Sequence, residues 1–196
     1  MRAAALLPAL LALPALGAPE EFVVEPAHTF PAFAVSHLGI STQRGRFERT
    51  DGRIVLDREA GTGSVDVSID AASVSTGNAS LDAVLRGEEF FNAARFPAVS
   101  FRARLLRFQD GVPKRASGEL TLAGVTRAVE VGVERFGCTR LPFLVRLTCG
   151  ADLSAIIRRS DFGMKAYAGL VGDEVRLEIQ VEAVRTEPAP VPATEG

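Results

Sequence analysis

Between residues 65 and 183 this chain returns repeatedly to runs that alternate apolar and polar side chains, and that two-residue period constrains its fold more than any other feature. Val65, Val67 and Ile69 are separated by Asp66 and Ser68, and Val99, Phe101, Ala103 and Leu105 by Ser100, Arg102 and Arg104. Leu120 and Leu122 flank Thr121, and Val129, Val131 and Val133 flank Glu130 and Gly132. Near the end Val175, Leu177, Ile179, Val181 and Ala183 alternate with Arg176, Glu178, Gln180 and Glu182. Successive side chains of a strand point to opposite faces, so each run offers one face to an apolar interior and the other to water. An amphipathic helix needs apolar positions every three or four residues, which these runs do not supply.

Further strands are expected around 21 to 25, 30 to 37, 45 to 57 and 143 to 155. Turn chemistry separates them, at Asp51-Gly52, Gly61-Thr62-Gly63, Gln109-Asp110-Gly111 and Gly172-Asp173. Eight or nine antiparallel strands at short spacing leave a closed barrel or a two-sheet sandwich. Long strands with one apolar side, joined mostly in chain order, favour the barrel. One segment departs from the pattern. Between Thr76 and Ala94 the positions Leu81, Val84, Leu85 and Phe91 follow helical spacing, with Asn78 or Ser80 able to cap the start. It reads as a short helical excursion over a barrel end. From Thr186 to Gly196, three prolines and little apolar content predict a loose tail, so the folded unit spans 18–185.

Arg2 followed by fourteen residues of only Ala, Leu and Pro resembles the charged and apolar parts of a secretory leader. The run is shorter than the roughly 20 residues a bilayer span requires. Small residues at Ala15, Gly17 and Ala18 place cleavage after Gly17, which makes 1–17 a signal peptide and the mature protein an exported one with no integral membrane span. Cys138 and Cys149 fit that reading: in an oxidising compartment, two cysteines this close on neighbouring strands are most simply a disulfide closing a hairpin, with free thiols the alternative. Lys and Arg total 22 against 24 Asp and Glu, without long runs, so the chain lacks the basic stripe of a nucleic-acid binder.

The usual catalytic signatures are missing, among them Gly-x-Ser-x-Gly, His-Glu-x-x-His, a Walker loop and Cys-x-x-Cys. Asp161-Phe162-Gly163 spells a kinase tripeptide without the rest of that fold. His28 and His37 are read first as structural residues at strand ends, and second as polar contacts to a bound head group. Arg102, Arg104, Arg107, Lys114 and Arg115 form a basic patch, read as a solvated strand face. Arg158-Arg159-Ser160-Asp161 is either an ion-paired corner or a polar rim at a barrel mouth.

Several blocks together resemble a known family. Pro26-Ala27-His28-Thr29-Phe30, Ser36-His37-Leu38-Gly39 and Gly45-Arg46-Phe47 are followed by Ser75-Thr76-Gly77-Asn78, Leu81-Asp82-Ala83, Glu89-Phe90-Phe91-Asn92 and Arg95-Phe96-Pro97. Gly118-Glu119-Leu120-Thr121-Leu122, Arg159-Ser160-Asp161-Phe162-Gly163-Met164 and Val171-Gly172-Asp173-Glu174-Val175 complete the series, in order over residues 22 to 184. The set is similar to YceI-like polyisoprenoid-binding proteins. The resemblance implies an all-β, eight-stranded antiparallel lipocalin-like barrel in the periplasm, holding an isoprenoid lipid such as a quinone or polyprenyl compound, or a similar amphiphile. Thr29 stands where the family usually has Ser, which keeps the hydroxyl.

Parity within the strands nominates the lining of such a cavity. Phe33 and Val35 share one face, as do Val99 and Phe101, and as do Leu177, Ile179 and Val181. Phe90, Phe91 and Phe96, with Phe162 and Met164, are placed at the mouth, where His37 meets the head group. Each of these is equally readable as ordinary core, because a filled barrel shows the same pattern. The expected activity is non-enzymatic binding and carriage of the lipid, with no other cofactor and no metal. Two alternatives stand beside it: a packed interaction module presenting Leu141-Pro142-Phe143-Leu144 to a partner, and an enzyme acting on the lipid through His37, Arg159 or Asp161. A homodimer is left open.

Overall fold

The structure is a computed structural model, and it describes residues 18–140 and 146–186. The segment 1–17 expected to be a leader, the Leu141 to Leu144 tip and the proline-rich tail beyond Thr186 lie outside the described residues. Eleven strands form one closed sheet. They are β1 (Glu20–Val24), β2 (Phe30–His37), β3 (Ser41–Phe47), β4 (Thr50–Asp57), β5 (Thr62–Asp70), β6 (Val74–Ser75), β7 (Ala98–Gln109), β8 (Val112–Leu122), β9 (Val125–Thr139), β10 (Thr148–Arg158) and β11 (Val171–Arg185).

These segments make eight staves, since β1 and β2, β3 and β4, and β5 and β6 are each one stave with a break in it. β1 pairs with β4 and β2 with β3, while β4 pairs with β5 and β3 with β6. The remaining staves pair in chain order, and β11 then bonds β10 on one edge and both β1 and β2 on the other. The result is an up-and-down antiparallel barrel with a short helix, α1 (Ala79–Arg86), at one end. The ring closes through β1, β4, β5 and β7 to β11, while β3 has β6 as its second neighbour only at Arg46 and Phe47, so its edge from Ser41 to Gly45 has no second strand partner.

The breaks in the first three staves have identifiable causes. A 3-10 turn at Pro26–His28 lifts the first stave away from β11, and the Thr29 hydroxyl fills the gap by donating to the Glu182 carbonyl and accepting from the Glu182 N–H, both at 3.1 Å. The hydroxyl that Thr and Ser share is the group this position uses. At the second break the Ser73 hydroxyl accepts from the backbone N–H groups of Glu48 and Arg49 and donates to the Asp70 carbonyl. Buried backbone groups freed by a kink need partners of this kind.

Five sequence expectations are corrected in detail. Residues 45 to 57 are two strands, with the corner at Glu48-Arg49, and Asp51-Gly52 lies inside β4 rather than in a turn. Gly52 is required by close strand approach: a Cβ there would lie 2.7 Å from the Asp66 carbonyl oxygen. Gly172-Asp173 is likewise not a turn but part of an irregularity in the β11–β2 ladder between Val171 and Val175. The strand expected at 143 to 155 runs instead over Thr148–Arg158. The helical excursion is shorter than 76 to 94, because Gly87 ends α1 and residues 88 to 97 continue as turns. Asn78 is the helix cap, its Oδ1 accepting from the N–H groups of Ser80 and Leu81. The expected turn at Asp110-Gly111 is present, with both residues in the left-handed region that suits a two-residue hairpin.

Candidate functional site

The interior of the barrel is not filled. Two clusters of buried side chains occupy its ends, one around Phe47, Val99, Phe91 and Phe162 beside α1, the other around Phe22, Leu56, Leu106 and Val131 at the opposite end. Between and through them runs a cavity of about 660 Å³. Its wall is built by the inward parity of nearly every stave: Val65 and Val67 from β5, Leu120 and Leu122 from β8, Val129 and Val131 from β9, Leu177 and Ile179 from β11.

The cavity opens beside α1. Lining residues at the far end are buried, as with Phe22 at 1% and Ala183 at 3% exposure, whereas Val84, Tyr167 and Leu170 at the α1 end are 44%, 53% and 52% exposed. The helix contributes Leu81, Val84 and Leu85 to the lining. It is tethered to the barrel by the Asp82 carboxylate, which accepts from the Thr76 N–H and hydroxyl, both at 2.7 Å. Polar lining groups gather at this mouth: His37, Gln43, Arg44, Thr76 and Asn78.

Of the residues nominated from sequence, Phe33, Val35, His37, Phe90, Phe91, Val99, Phe101, Met164, Leu177, Ile179 and Val181 all line the cavity. Phe96 and Phe162 do not. Phe162 is buried in the cluster beside α1. The Phe96 ring lies against Gly124 in the β8–β9 turn, where a Cβ would come within 2.4 Å of it, and the Arg95 guanidinium sits 5.1 Å from its centre. Phe33, Phe47 and Phe91 form a tilted aromatic group at the α1 end, with ring centres 5.2 to 6.2 Å apart. Phe47, Phe22, Leu56 and Leu106 also line the cavity and were not nominated. Parity alone does not separate a lining side chain from a packed one, since both point inward.

Arg159 has a different role from the rim or ion pair expected of it. It is buried, lines the cavity wall, and donates to four backbone carbonyls: Nε to Gly172, Nη1 to Met164 and Ala166, and Nη2 to Val171, at 2.8 to 3.0 Å. It thereby clips the β10–β11 loop to the start of β11. Beside it, Ser160 donates its N–H and its hydroxyl to Asp173 and holds that carboxyl below the usual carboxylate range. The basic patch is a solvated face with cross-strand ion pairs, Arg102 with Asp66 and Arg115 with Glu130. Cys138 and Cys149 face one another in the β9–β10 ladder and form a disulfide.

A closed eight-stave barrel around an apolar cavity open at one end is a lipocalin-like barrel. The YceI-like domain matches residues 22–183, and the chain belongs to that family. It is 32% identical over 185 residues to a UPF0312 protein of Shewanella denitrificans, covering 93% of this chain and 96% of the relative. It is 33% identical over 162 residues to Protein YceI of Escherichia coli O157:H7, covering 82% and 84%. Among solved structures, the Campylobacter jejuni YCEI protein is similar at a TM-score of 0.66 and 28% identity, over 78% of this chain and 90% of that one. A polyisoprenoid binding domain from Saccharophagus degradans shares the fold at a TM-score of 0.61 and 17% identity, over 84% and 98%.

Proposed function

We propose that this protein is an exported, non-enzymatic carrier of a polyisoprenoid or similar long-chain amphiphile, with the tail in the barrel and the head group at the α1 mouth. The observation that carries this reading is the continuous apolar cavity of about 660 Å³ with its polar residues gathered at the opening. That volume falls within the roughly 300–1,000 Å³ of small-molecule sites. Burial contributes about 0.8 kcal/mol per CH₂, so each five-carbon isoprene unit supplies up to roughly 4 kcal/mol before ordering costs. Tight binding then needs no catalytic group, only a greasy wall and a few donors and acceptors such as His37, Gln43 and Asn78 to orient the head. The Saccharophagus degradans domain of the same fold, which is described as polyisoprenoid-binding, supports the ligand class.

Export rests on the Arg2 and Ala/Leu/Pro leader, and the Cys138–Cys149 disulfide agrees with an oxidising compartment such as the periplasm. Sequencing of the secreted protein is expected to begin at Ala18.

Mass spectrometry of an organic extract of the purified protein tests the ligand. The expected result is a long-chain prenyl or acyl amphiphile whose return to delipidated protein raises the melting temperature. Ala116→Phe is the matching variant, because Ala116 is a small lining residue in the wall of the cavity. The added ring takes up cavity volume beside the buried cluster at that end, so the variant is expected to keep its fold, to purify with less lipid and to melt no higher than delipidated wild-type protein. A variant that retains full lipid content, or an extract of wild-type protein that contains none, overturns the reading.

A further inference from the structure

Large apolar side chains that are strongly exposed cluster at the end where the cavity opens. Leu38 and Ile40 in the β2–β3 turn are 49% and 83% exposed, and they join Val84 of α1 and Tyr167 and Leu170 of the β10–β11 loop. Elsewhere among the described residues, the comparably exposed large apolar side chains are Val23 and Ile156, far apart on the barrel wall.

The five at the mouth form one rim. The Leu38 N–H donates to the Leu170 carbonyl at 2.7 Å, which ties the two loops together, and the Tyr167 ring stacks on Phe90 at 6.1 Å, which joins the loop to the turns after α1. Leu38 and Tyr167 both adopt left-handed backbone conformations, with φ of 55° and 54°, which residues of this size rarely take without a constraint. Val84, Phe90, Tyr167 and Leu170 also line the cavity, so rim and interior are one continuous apolar surface.

We propose that this rim docks the barrel mouth-down on a lipid bilayer, so that the tail passes between membrane and cavity without crossing water. The inference rests on the carrier reading for its purpose. Three observations select a bilayer over a protein partner. The rim is continuous with the cavity. A stable protein interface takes about 20–30 residues on each side, which five protruding side chains do not provide. Flanking charges are of both signs, Arg44 and Lys165 against Glu88 and Glu89, so no single-sign field is offered to a charged partner.

The chain contains no tryptophan, so one introduced tryptophan is an unambiguous reporter. The full chain carrying Ile40→Trp is mixed with vesicles of phosphatidylethanolamine and phosphatidylglycerol bearing brominated acyl chains. Its emission is expected to shift to the blue and to lose most of its intensity. Val23→Trp, 41% exposed on β1 at the end away from the mouth, is the control and is expected to keep its emission. Quenching of neither position, or of both alike, overturns the proposal. A blue shift of Ile40→Trp that grows with protein concentration in the absence of vesicles also overturns it, by showing that a second copy covers the rim. Failure here is separable from failure of the carrier reading: lipid in the extract with an unquenched Ile40→Trp defeats docking alone, and quenching with no extractable lipid defeats the cargo alone.

Discussion

The ring of Phe33 lies across Gly45, its ladder partner on β3, so closely that a Cβ at Gly45 would sit 2.5 Å from the Phe33 Cζ. The glycine makes room for the ring to lie along the wall, where it also meets Phe47 and Phe91. Gly45→Ala is expected to push the Phe33 ring into the cavity, at a cost of about 1–3 kcal/mol for overpacking. Chemical unfolding and the lipid content of the purified variant measure the two effects. Unchanged stability together with unchanged lipid would show that the contact is idle.

Arg159 satisfies four carbonyls with one planar group. Removing it leaves buried acceptors without partners, so Arg159→Met is expected to cost about 3–5 kcal/mol and to loosen the β10–β11 loop. Arg159→Lys is expected to recover little, because an ammonium group cannot reproduce the fork. Urea titration gives the stability, and amide exchange at Leu170 and Val171 reports the loop.

The Cys138–Cys149 bridge spans a sequence separation of 11, which the loop-closure estimate values at about 3 kcal/mol. Replacing both residues with alanine is expected to lower stability by that amount. It lies on the opposite side of the barrel from the α1 mouth, so lipid content is expected to remain. Loss of lipid without loss of fold would place the functional opening at the disulfide end instead.

Asp70 accepts from the Ala72 N–H at 2.8 Å and from the Arg49 guanidinium, and the Arg49 hydrogen bonds above all hold its carboxyl below the usual value of 3.8. A carboxyl depressed in the folded state stabilises the fold above its unfolded pKa, and this contribution disappears as pH falls through the folded value. Asp70→Asn keeps an oxygen for the Ala72 N–H but loses the charge paired with Arg49, and is expected to cost up to about 1 kcal/mol at neutral pH. The gap between variant and wild type is expected to close as pH falls through the depressed folded-state pKa, below which both side chains are neutral. Denaturant midpoints across that range check the sign.

The strands were legible because burial on one face of a sheet imposes a two-residue period, and that period is written in runs such as Val175 to Ala183. The disulfide, the Asp110-Gly111 turn and most of the lining were legible for equally local reasons. The breaks in the first three staves were not, because they depend on groups far apart in sequence, such as Thr29 with Glu182 and Ser73 with Glu48. Gly52 looks like a turn residue in isolation, yet the backbone approaching from β5 is what it answers to, and Gly172 sits in the irregular β11–β2 ladder rather than in a turn. Sequence by itself determined that this chain is an antiparallel strand protein with an apolar inner face. Only the tertiary structure decided that the inner faces stand apart around vacant space, that Phe96 faces the β8–β9 turn while Phe91 faces the cavity, and that the opening lies beside α1. Those outcomes follow from stave number, closure and the reach of opposing side chains, which no local pattern encodes.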